Sequence, residues 1–404
     1  MIGIGLLGLG TVGTGVVEIL EKRQEELKFL TGEEIKIKKI LVKDINKKRK
    51  IQLEENIITY DYDEILNHED ISIVVELTGD LEQGYRYIKA ALESGKNIVT
   101  ANKAVVSKYL EELSSLAAKK DLAFLYEASV GGGIPILKSL KEELALNKIT
   151  EVEGILNGTC NYILTEMFNE ELDYEEVLEV AQEMGYAEAD STADVKGYDT
   201  LRKLRILGTL AFQGEINEND ILLEGISEII PFDIEQIKKK ESTIKLIGEV
   251  KELEDGFTAL VQPTIIKEDS YFANVNNAFN SVVFRGDNVG ELNFYGLGAG
   301  MLPTANAVLG DVIDIIKGSY RKGNPLGKRK LKNLNTKLKN EYYLRISSPN
   351  DSIYKSIENI SKELLSKKDN IAIITKEIEY LEIVELLSSL GIDNNNYFIA
   401  RILK

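Results

Sequence analysis

The sequence predicts an α/β protein: a doubly wound parallel sheet, an α+β domain after it, and a small α+β module at the C-terminus. Three observations carry this expectation. Up to about Ile149, short apolar runs alternate with amphipathic helical stretches, the order that builds parallel βαβ units. From Ile149 that alternation stops. After a basic, glycine-containing stretch, strand and helix patterns alternate again to the C-terminus.

The elements follow in order. "MIGIGLLGLG" reads as an apolar strand running through glycines into "VGTGVVEILEKRQEELKFL", where apolar residues recur at helical spacing. Strands are expected at "IKIKKILV", "ISIVVEL", "NIVTAN" and "LAFLYEAS", with helices such as "EQGYRYIKAALESG" and "LEELSSLAAKK" between them. Next, "ITEVEGILN" is strand-like, helices are expected around Cys160–Phe168 and Tyr174–Met184, and strand patterns return between Phe257 and Phe294. From Lys317 to Asn340 there are nine basic residues and no acid, with Gly318, Gly323, Pro325 and Gly327 among them. That composition predicts a solvated connector, with a basic surface patch as the other reading. Beyond it, "EYYLRIS", "SIYKSIENISKELLS", "NIAIIT", "EYLEIVELLSSLG" and "NYFIARIL" predict strand, helix, strand, helix and strand.

Composition narrows the function classes. A chain of 404 residues exceeds one core at roughly 150 residues per domain. Hydrophobic residues at 44% and charged residues at 28% are those of a globular protein. A formal net charge of -17 argues against nucleic acid or an anionic membrane as partner. No apolar run approaches the ~20 residues of a membrane span, and the first residues lack a signal peptide's basic region and read directly as a strand. A lone cysteine fits a reducing cytoplasm, the expected location. Cys160 is the single cysteine and His68 the single histidine. An intrachain disulfide is therefore excluded, and a histidine-rich metal site or a Ser-His-Asp triad is not expected.

Gly8, Gly10 and Gly13 stand in the G-x-G-x-x-G spacing, after an apolar strand and at the start of a helix. In that context Gly8 permits the turn, Gly10 admits a pyrophosphate to the backbone, and Gly13 allows close helix-strand packing. The phosphates then meet the N–H groups of the helix start, so Gly8, Gly10, Thr11, Val12 and Gly13 are the expected dinucleotide contacts. After the second strand, Asp44 suits the ribose hydroxyl of NAD, whereas Lys43, Lys47, Lys48 and Arg49 suit the 2'-phosphate of NADP. The basic cluster tips the expectation to NADP, with NAD still open. Thr100, Asn102 and Lys103 close a later strand, at the edge where open α/β sheets bind their ligands.

"YAEADSTADVKGYDTLRKL", from Tyr186 to Leu204, places Glu188, Asp190, Asp194 and Asp199 ahead of Lys196, Arg202 and Lys203. Asp199 and Lys203 are one helical turn apart and share a face. Such pairs are common on helix surfaces, where they stabilise by only ~0.3–0.5 kcal/mol. The density of acids, Gly185 and Gly197, and the apolar helix that follows favour a site instead: a zwitterionic substrate needs a carboxylate for its ammonium and an acid near its oxygen.

"GLGTVGTGV", "VTANKAVVS", "YEASVGGGIPI", "EGILNGTCNYIL", "GYAEADSTADVKGYDTLRKL" and "YGLGAGMLPTANAVLGDV" together resemble the homoserine dehydrogenase family, in its order and over about residues 3–316. The resemblance implies NAD(P)-dependent interconversion of L-homoserine and L-aspartate 4-semialdehyde, a step toward threonine and methionine. It implies Lys203 as proton donor to the carbonyl oxygen, Asp199 as its partner, and Lys103 as a second essential lysine at the cofactor-substrate junction. Glu188 is implied as the ligand of the substrate ammonium, with Thr159, Tyr186 and Asp194 as further substrate contacts. Thr78, Thr100 and Gly300 are implied as cofactor contacts, Gly300 where the chain returns to complete the nucleotide site. Glu127 with the carbonyls of Val130, Gly132 and Ile134 resembles the family's Na+ site; a plain glycine hinge is the other reading of those residues.

The implied boundaries are 1–133 for the dinucleotide-binding domain, completed by about 296–316, and 134–295 for a substrate-binding and dimerisation domain. The connector is then 317–340 and an ACT-like module 341–404, and a homodimer or higher homo-oligomer is expected. Three positions depart from the family pattern. Ser191 stands where proline is common, "ELTGD" lacks a second glycine, and "ISSPNDSIYKS" lacks the Asp-x-Pro-Gly turn of an effector site. The last leaves threonine feedback, a dimer-forming role and a vestigial module all open. Two rivals remain: an acylating semialdehyde dehydrogenase, which needs an activated cysteine and has only Cys160, and a non-catalytic nucleotide sensor, which needs neither lysine nor Glu188.

Overall fold

A computed structural model describes every residue except Lys50, Glu55, Glu171, Glu188, 321–325, Lys328, 348–350 and Lys404, and the side chains of Asp351 and Ser352. The chain forms two compact units. The first comprises Met1–Ile149, Arg205–Ile216 and Gly286–Lys330; the second comprises Thr150–Leu204, Asn217–Arg285 and Leu331–Lys404.

The first unit holds a six-stranded sheet of β1 (Ile2–Leu7), β2 (Ile35–Leu41), β3 (Ile58–Thr59), β4 (Ile71–Glu76), β5 (Asn97–Thr100) and β6 (Phe124–Leu125). Their spatial order is β3-β2-β1-β4-β5-β6, and every pairing is parallel. This is the doubly wound order whose reversal beside β1 opens a crevice at the carboxyl ends of the strands. Helices cover both faces of such a sheet, so β1 and β4 are apolar runs and not alternating patterns. Ile4, Leu6, Ile73 and Val75 share a core with Val16 and Val17 of helix α1 (Thr11–Lys22) and with Val308 and Val312 of the helix Met301–Lys317. The expected strand "LAFLYEAS" is cut short. It is a strand only at Phe124–Leu125, and Glu127–Ser129 turn as a 3-10 helix. The turn is fixed by Glu127, whose N–H donates to Asp311 Oδ2 at 2.8 Å.

The second unit is built on a mixed sheet. Its longer strands are β7 (Ile149–Ile155), β8 (Ser242–Leu253), β9 (Gly256–Lys267), β10 (Phe279–Gly286), β11 (Tyr342–Ser347), β12 (Ser361–Lys367), β13 (Asn370–Thr375) and β14 (Tyr397–Ile402). They lie in the order β10-β7-β8-β9-β14-β11-β13-β12. The C-terminal module is therefore no separate sheet: β14 pairs in parallel with β9, Thr264 opposite Arg401 and Ile265 opposite Ile402. Tyr342, Leu344, Ile373 and Ile399 form its core with Ile383 and Leu387 of the helix Tyr380–Ser389.

This unit departs from the sequence expectation in two places. "SKELLSK", expected as the second half of a helix, is strand β12, antiparallel to β13; the helix before it ends at Ile357. Helix-favouring residues yield to a ladder that gives the backbone of Ile371 and Ile373 a second partner, and the charged side chains suit an exposed edge strand. The end of the basic stretch is packed, not solvated. Phe257 N–H donates to Lys332 O at 2.9 Å, Leu334 N–H donates to Phe257 O at 2.8 Å, and Ala259 N–H donates to Asn335 Oδ1 at 2.8 Å. Leu334 and Asn335 are buried there, which a loop composition conceals. Among the described residues, no helix is long and apolar enough to cross a membrane.

Candidate active site

The nucleotide turn has the geometry its glycines predict. Gly8 adopts φ +101°, and a Cβ there would lie 2.8 Å from Leu77 O; a Cβ on Gly13 would lie 2.3 Å from Gly8 O. Both positions exclude any side chain. Gly10 differs, because among the described residues no heavy atom beyond its chain neighbours lies within 4 Å of a Cβ placed on it. Gly10 is the N-cap of α1 and offers no side chain to cap it, so the helix's first N–H groups face an open cradle suited to a pyrophosphate.

Glu76, at the end of β4, is wholly buried and organises the next two loops. It accepts from Thr78 N at 2.8 Å, from Thr78 Oγ1 at 2.5 Å and from Thr100 Oγ1 at 2.7 Å. Thr78 and Thr100, expected cofactor contacts on separate loops, are thus tied to one carboxylate. Asn102 caps helix α2 (Lys103–Lys119), accepting from Val105 N at 3.3 Å while its Nδ2 donates to Asp80 O at 2.9 Å. Lys103 is the first residue of that helix and half-buried. Asp44 accepts from Asn46 N at 2.8 Å, and Arg49 Nη2 donates to Asp44 O at 2.6 Å, so the loop after β2 is braced by its own charges. Gly300 precedes the helix Met301–Lys317 as its N-cap.

Glu127 is buried, and both carboxylate oxygens accept from the start of the helix Ile136–Glu143: Oε1 from Leu137 N at 2.8 Å and Oε2 from Lys138 N at 2.7 Å. Burial raises its pKa, opposed by Lys141 and these N–H groups. Val130, Gly132 and Ile134 lie on the turn between.

In the second unit, Asp199 and Lys203 lie on helix α4 (Tyr198–Phe212), whose residues up to Leu204 belong to that unit. Asp199 is 1% exposed and Lys203 7% exposed. Lys203 Nζ donates to Asp199 Oδ2 and to Leu156 O, each at 2.7 Å. Asn157, which follows β7, donates from Nδ2 to Asp194 Oδ1 and to Asp199 Oδ2, each at 2.7 Å. Thr159 donates to the carbonyl of Tyr186 at 2.6 Å, and the Tyr186 ring rests on Tyr162 with centroids 4.7 Å apart. The structure thereby brings Asp194, Asp199 and Lys203 into one network, with Thr159 and Tyr186 tied to each other. Glu188 lies outside the described residues. Lys196 reaches Ser227 at 2.7 Å and Arg202 reaches Glu218 at 3.9 Å.

Two models of one family match the chain in succession: "Homoserine dehydrogenase, NAD binding domain" over residues 8–127 and "Homoserine dehydrogenase" over residues 135–313. The homoserine dehydrogenase of Bacillus subtilis is 43% identical over 78% of this chain and 72% of its own length. The chain belongs to the homoserine dehydrogenase family. The homoserine dehydrogenase of Synechocystis is 44% identical over 78% of this chain and 73% of its own length. A crystal structure of the Thiobacillus denitrificans homoserine dehydrogenase superposes with a TM-score of 0.90 at 32% identity, covering 100% of this chain and 98% of that one.

The chain is thus an NAD(P)-dependent oxidoreductase acting on a small-molecule substrate. The open space beside Gly10 at the helix start is compatible with that assignment. The rival with a cysteine nucleophile does not fit this homoserine dehydrogenase. Cys160 is wholly buried, its thiol donates to Asp194 O at 3.1 Å, and burial holds its pKa well above the ordinary thiol value. Sequence reasoning missed Glu76 and Asn157. An acid ending an apolar strand was the signal for the first. For the second it was an asparagine directly before a helix, a residue type that caps.

Proposed function

We propose that this homoserine dehydrogenase moves the proton of its reaction through Lys203. NAD(P)H, when bound, supplies a hydride to the aldehyde carbon of L-aspartate 4-semialdehyde. Lys203 gives its proton to the aldehyde oxygen, which becomes the hydroxyl of L-homoserine, and Lys203 is left as the neutral amine. Oxidation runs the same path backward. Asp199 orients the ammonium and stabilises its charged form before transfer. Glu188 binds the substrate ammonium, with Asp194, Thr159 and Tyr186 as further contacts, and Lys103 works from the nucleotide side. The buried pair at 2.7 Å carries this assignment, because a surface pair has no reason to be so desolvated.

For the cofactor we infer NADP over NAD, from Lys43, Lys47, Lys48 and Arg49 around Asp44. Na+ is proposed at Glu127 with the carbonyls of Val130, Gly132 and Ile134, supported by a buried carboxylate beside a glycine turn. The strand-helix-strand-strand-helix-strand order of the last segment, with its strands side by side as fourth, first, third and second, supports an ACT-like module. A cytoplasmic homodimer or higher homo-oligomer completes the proposal, with the second domain as its interface.

The test is L-homoserine oxidation followed at 340 nm with NAD and NADP in parallel, with and without threonine, and with Na+ exchanged for choline. Faster turnover per cofactor concentration with NAD would reverse the cofactor preference. An unchanged rate in choline would remove the cation. Light scattering after size exclusion gives the oligomer number, and a monomer would remove the interface.

A further inference from the structure

We propose that Asn157 is a positioning residue of the proton-transfer site: a single amide that holds Asp194 and Asp199 in register and sets how strongly Asp199 grips the Lys203 ammonium. The inference rests on the reading of Lys203 as proton donor.

The Asn157 side chain is buried and its amide is used at every atom. Oδ1 accepts from the N–H of Cys160 at 2.7 Å, capping helix α3 (Gly158–Glu170), and Nδ2 donates to Asp194 Oδ1 and Asp199 Oδ2, each at 2.7 Å. This fixes which end is which. The reverse orientation would set the amide oxygen against two carboxylate oxygens and the NH2 against an N–H. The cap holds the amide still, and the amide holds two acids.

The residue type matters as much as the position. Two carboxylates brought this close repel and favour protonation of one of them. A neutral donor between them satisfies both without a second cation to compete with Lys203. A lysine there would take Asp199 for itself, and an aspartate would add a third acid. Asp199 Oδ2 accepts from Asn157 Nδ2 and from Lys203 Nζ, each at 2.7 Å. A carboxylate oxygen that serves two donors divides its charge between them. Asn157 thus weakens the hold of Asp199 on the ammonium proton and leaves Lys203 the better acid. Leu156 O, the carbonyl just before Asn157, accepts from Lys203 at 2.7 Å and from Asn280 Nδ2 at 2.9 Å, so this short segment holds the lysine directly through Leu156 O and indirectly through Asn157 and Asp199.

The competing account is that Asn157 only caps α3. Asn157→Ser separates the two, because a serine oxygen still caps a helix while the NH2 is lost. In the full-length enzyme, Asn157→Ser is expected to keep its melting temperature within a few degrees and its KM for the nucleotide within roughly twofold. Its kcat for L-homoserine oxidation is expected to fall roughly tenfold to hundredfold. Lys203 must be neutral to accept a proton in that direction, so the ascending limb of kcat against pH should move about one unit to higher pH. Asn157→Asp, of the same shape, should move it further the same way; it also supplies the readout if the serine variant does not fold. Wild-type kcat and an unmoved limb in Asn157→Ser would leave only the cap. A fall in kcat with the limb unmoved would overturn the charge-sharing role. Lys203→Ala measured alongside distinguishes the readings: if that variant keeps its kcat, the proton-donor assignment is wrong, whereas if it collapses while Asn157→Ser is normal, the present inference alone fails.

Discussion

Lys203 Nζ lies 2.7 Å from Asp199 Oδ2, one helical turn along α4, with both side chains buried. An exposed pair at this spacing contributes a few tenths of a kcal/mol, but removing one partner of a buried pair costs about 3–5 kcal/mol because the other charge is stranded. The two residues therefore separate by experiment. Lys203→Ala should lower kcat by ~10²–10⁴ while nucleotide affinity, read from fluorescence titration, stays near wild type. Asp199→Asn keeps a neutral partner for the lysine and should lose less stability than Asp199→Ala in thermal unfolding.

Glu76 carries a different prediction, because it touches both loops of the nucleotide side and acts through them. Each lost hydrogen bond to a buried charged group is worth about 1.5–3 kcal/mol. Glu76→Ala should thus raise the dissociation constant for NADPH by at least roughly tenfold. Thr100→Val, which removes a single donor at 2.7 Å, should show a smaller rise. Equal affinity in Glu76→Ala and wild type would mean that Thr78 and Thr100 need no anchor.

Stability should also depend on pH through Glu153. It lies on β7 directly opposite Glu249 of β8, with Arg401 Nη2 3.8 Å away, and burial together with Glu249 pushes its pKa up to about 7. An unfolded glutamate titrates near 4.5. Between those values the folded state keeps a proton that the unfolded state has released, so stability falls as pH rises through that window. At 1.36 kcal/mol per unit the loss reaches about 3 kcal/mol and then levels off above pH 7. Urea unfolding from pH 4.5 to 7.5 measures it, and Glu153→Gln should flatten that slope. Arg401→Met should steepen the loss, since Arg401 Nη1 is the donor to Glu249 Oε2 at 2.7 Å.

Cys160 should be silent. With its thiol buried and held protonated, the native protein should resist a thiol reagent until it unfolds, and Cys160→Ala should retain homoserine oxidation. Rapid modification with loss of activity would revive a cysteine-based mechanism.

The legible parts of the molecule were those written in local pattern. The glycine spacing at Gly8, Gly10 and Gly13, the apolar strands β1 and β4, and the four-residue step from Asp199 to Lys203 each declare themselves within a turn or a strand. What the sequence hid was long-range. "SKELLSK" carries a helical composition and becomes a strand because β13 is beside it. Glu76 reads as the end of a strand, although Thr100, 24 residues on, depends on it.

The sequence by itself determined a dinucleotide-binding α/β half, several elements of the second half, and the family. Only the tertiary structure decided that Asn157 meets an acid 42 residues away and Lys203 a carbonyl 47 residues away. It also decided that Arg401, on the last strand, neutralises glutamates on β7 and β8. The reason is physical. Side-chain periodicity and turn chemistry act between near neighbours and leave a mark in short windows. The partner of a buried charge is whichever distant group the fold brings within ~4 Å, and burial then makes that choice costly to change.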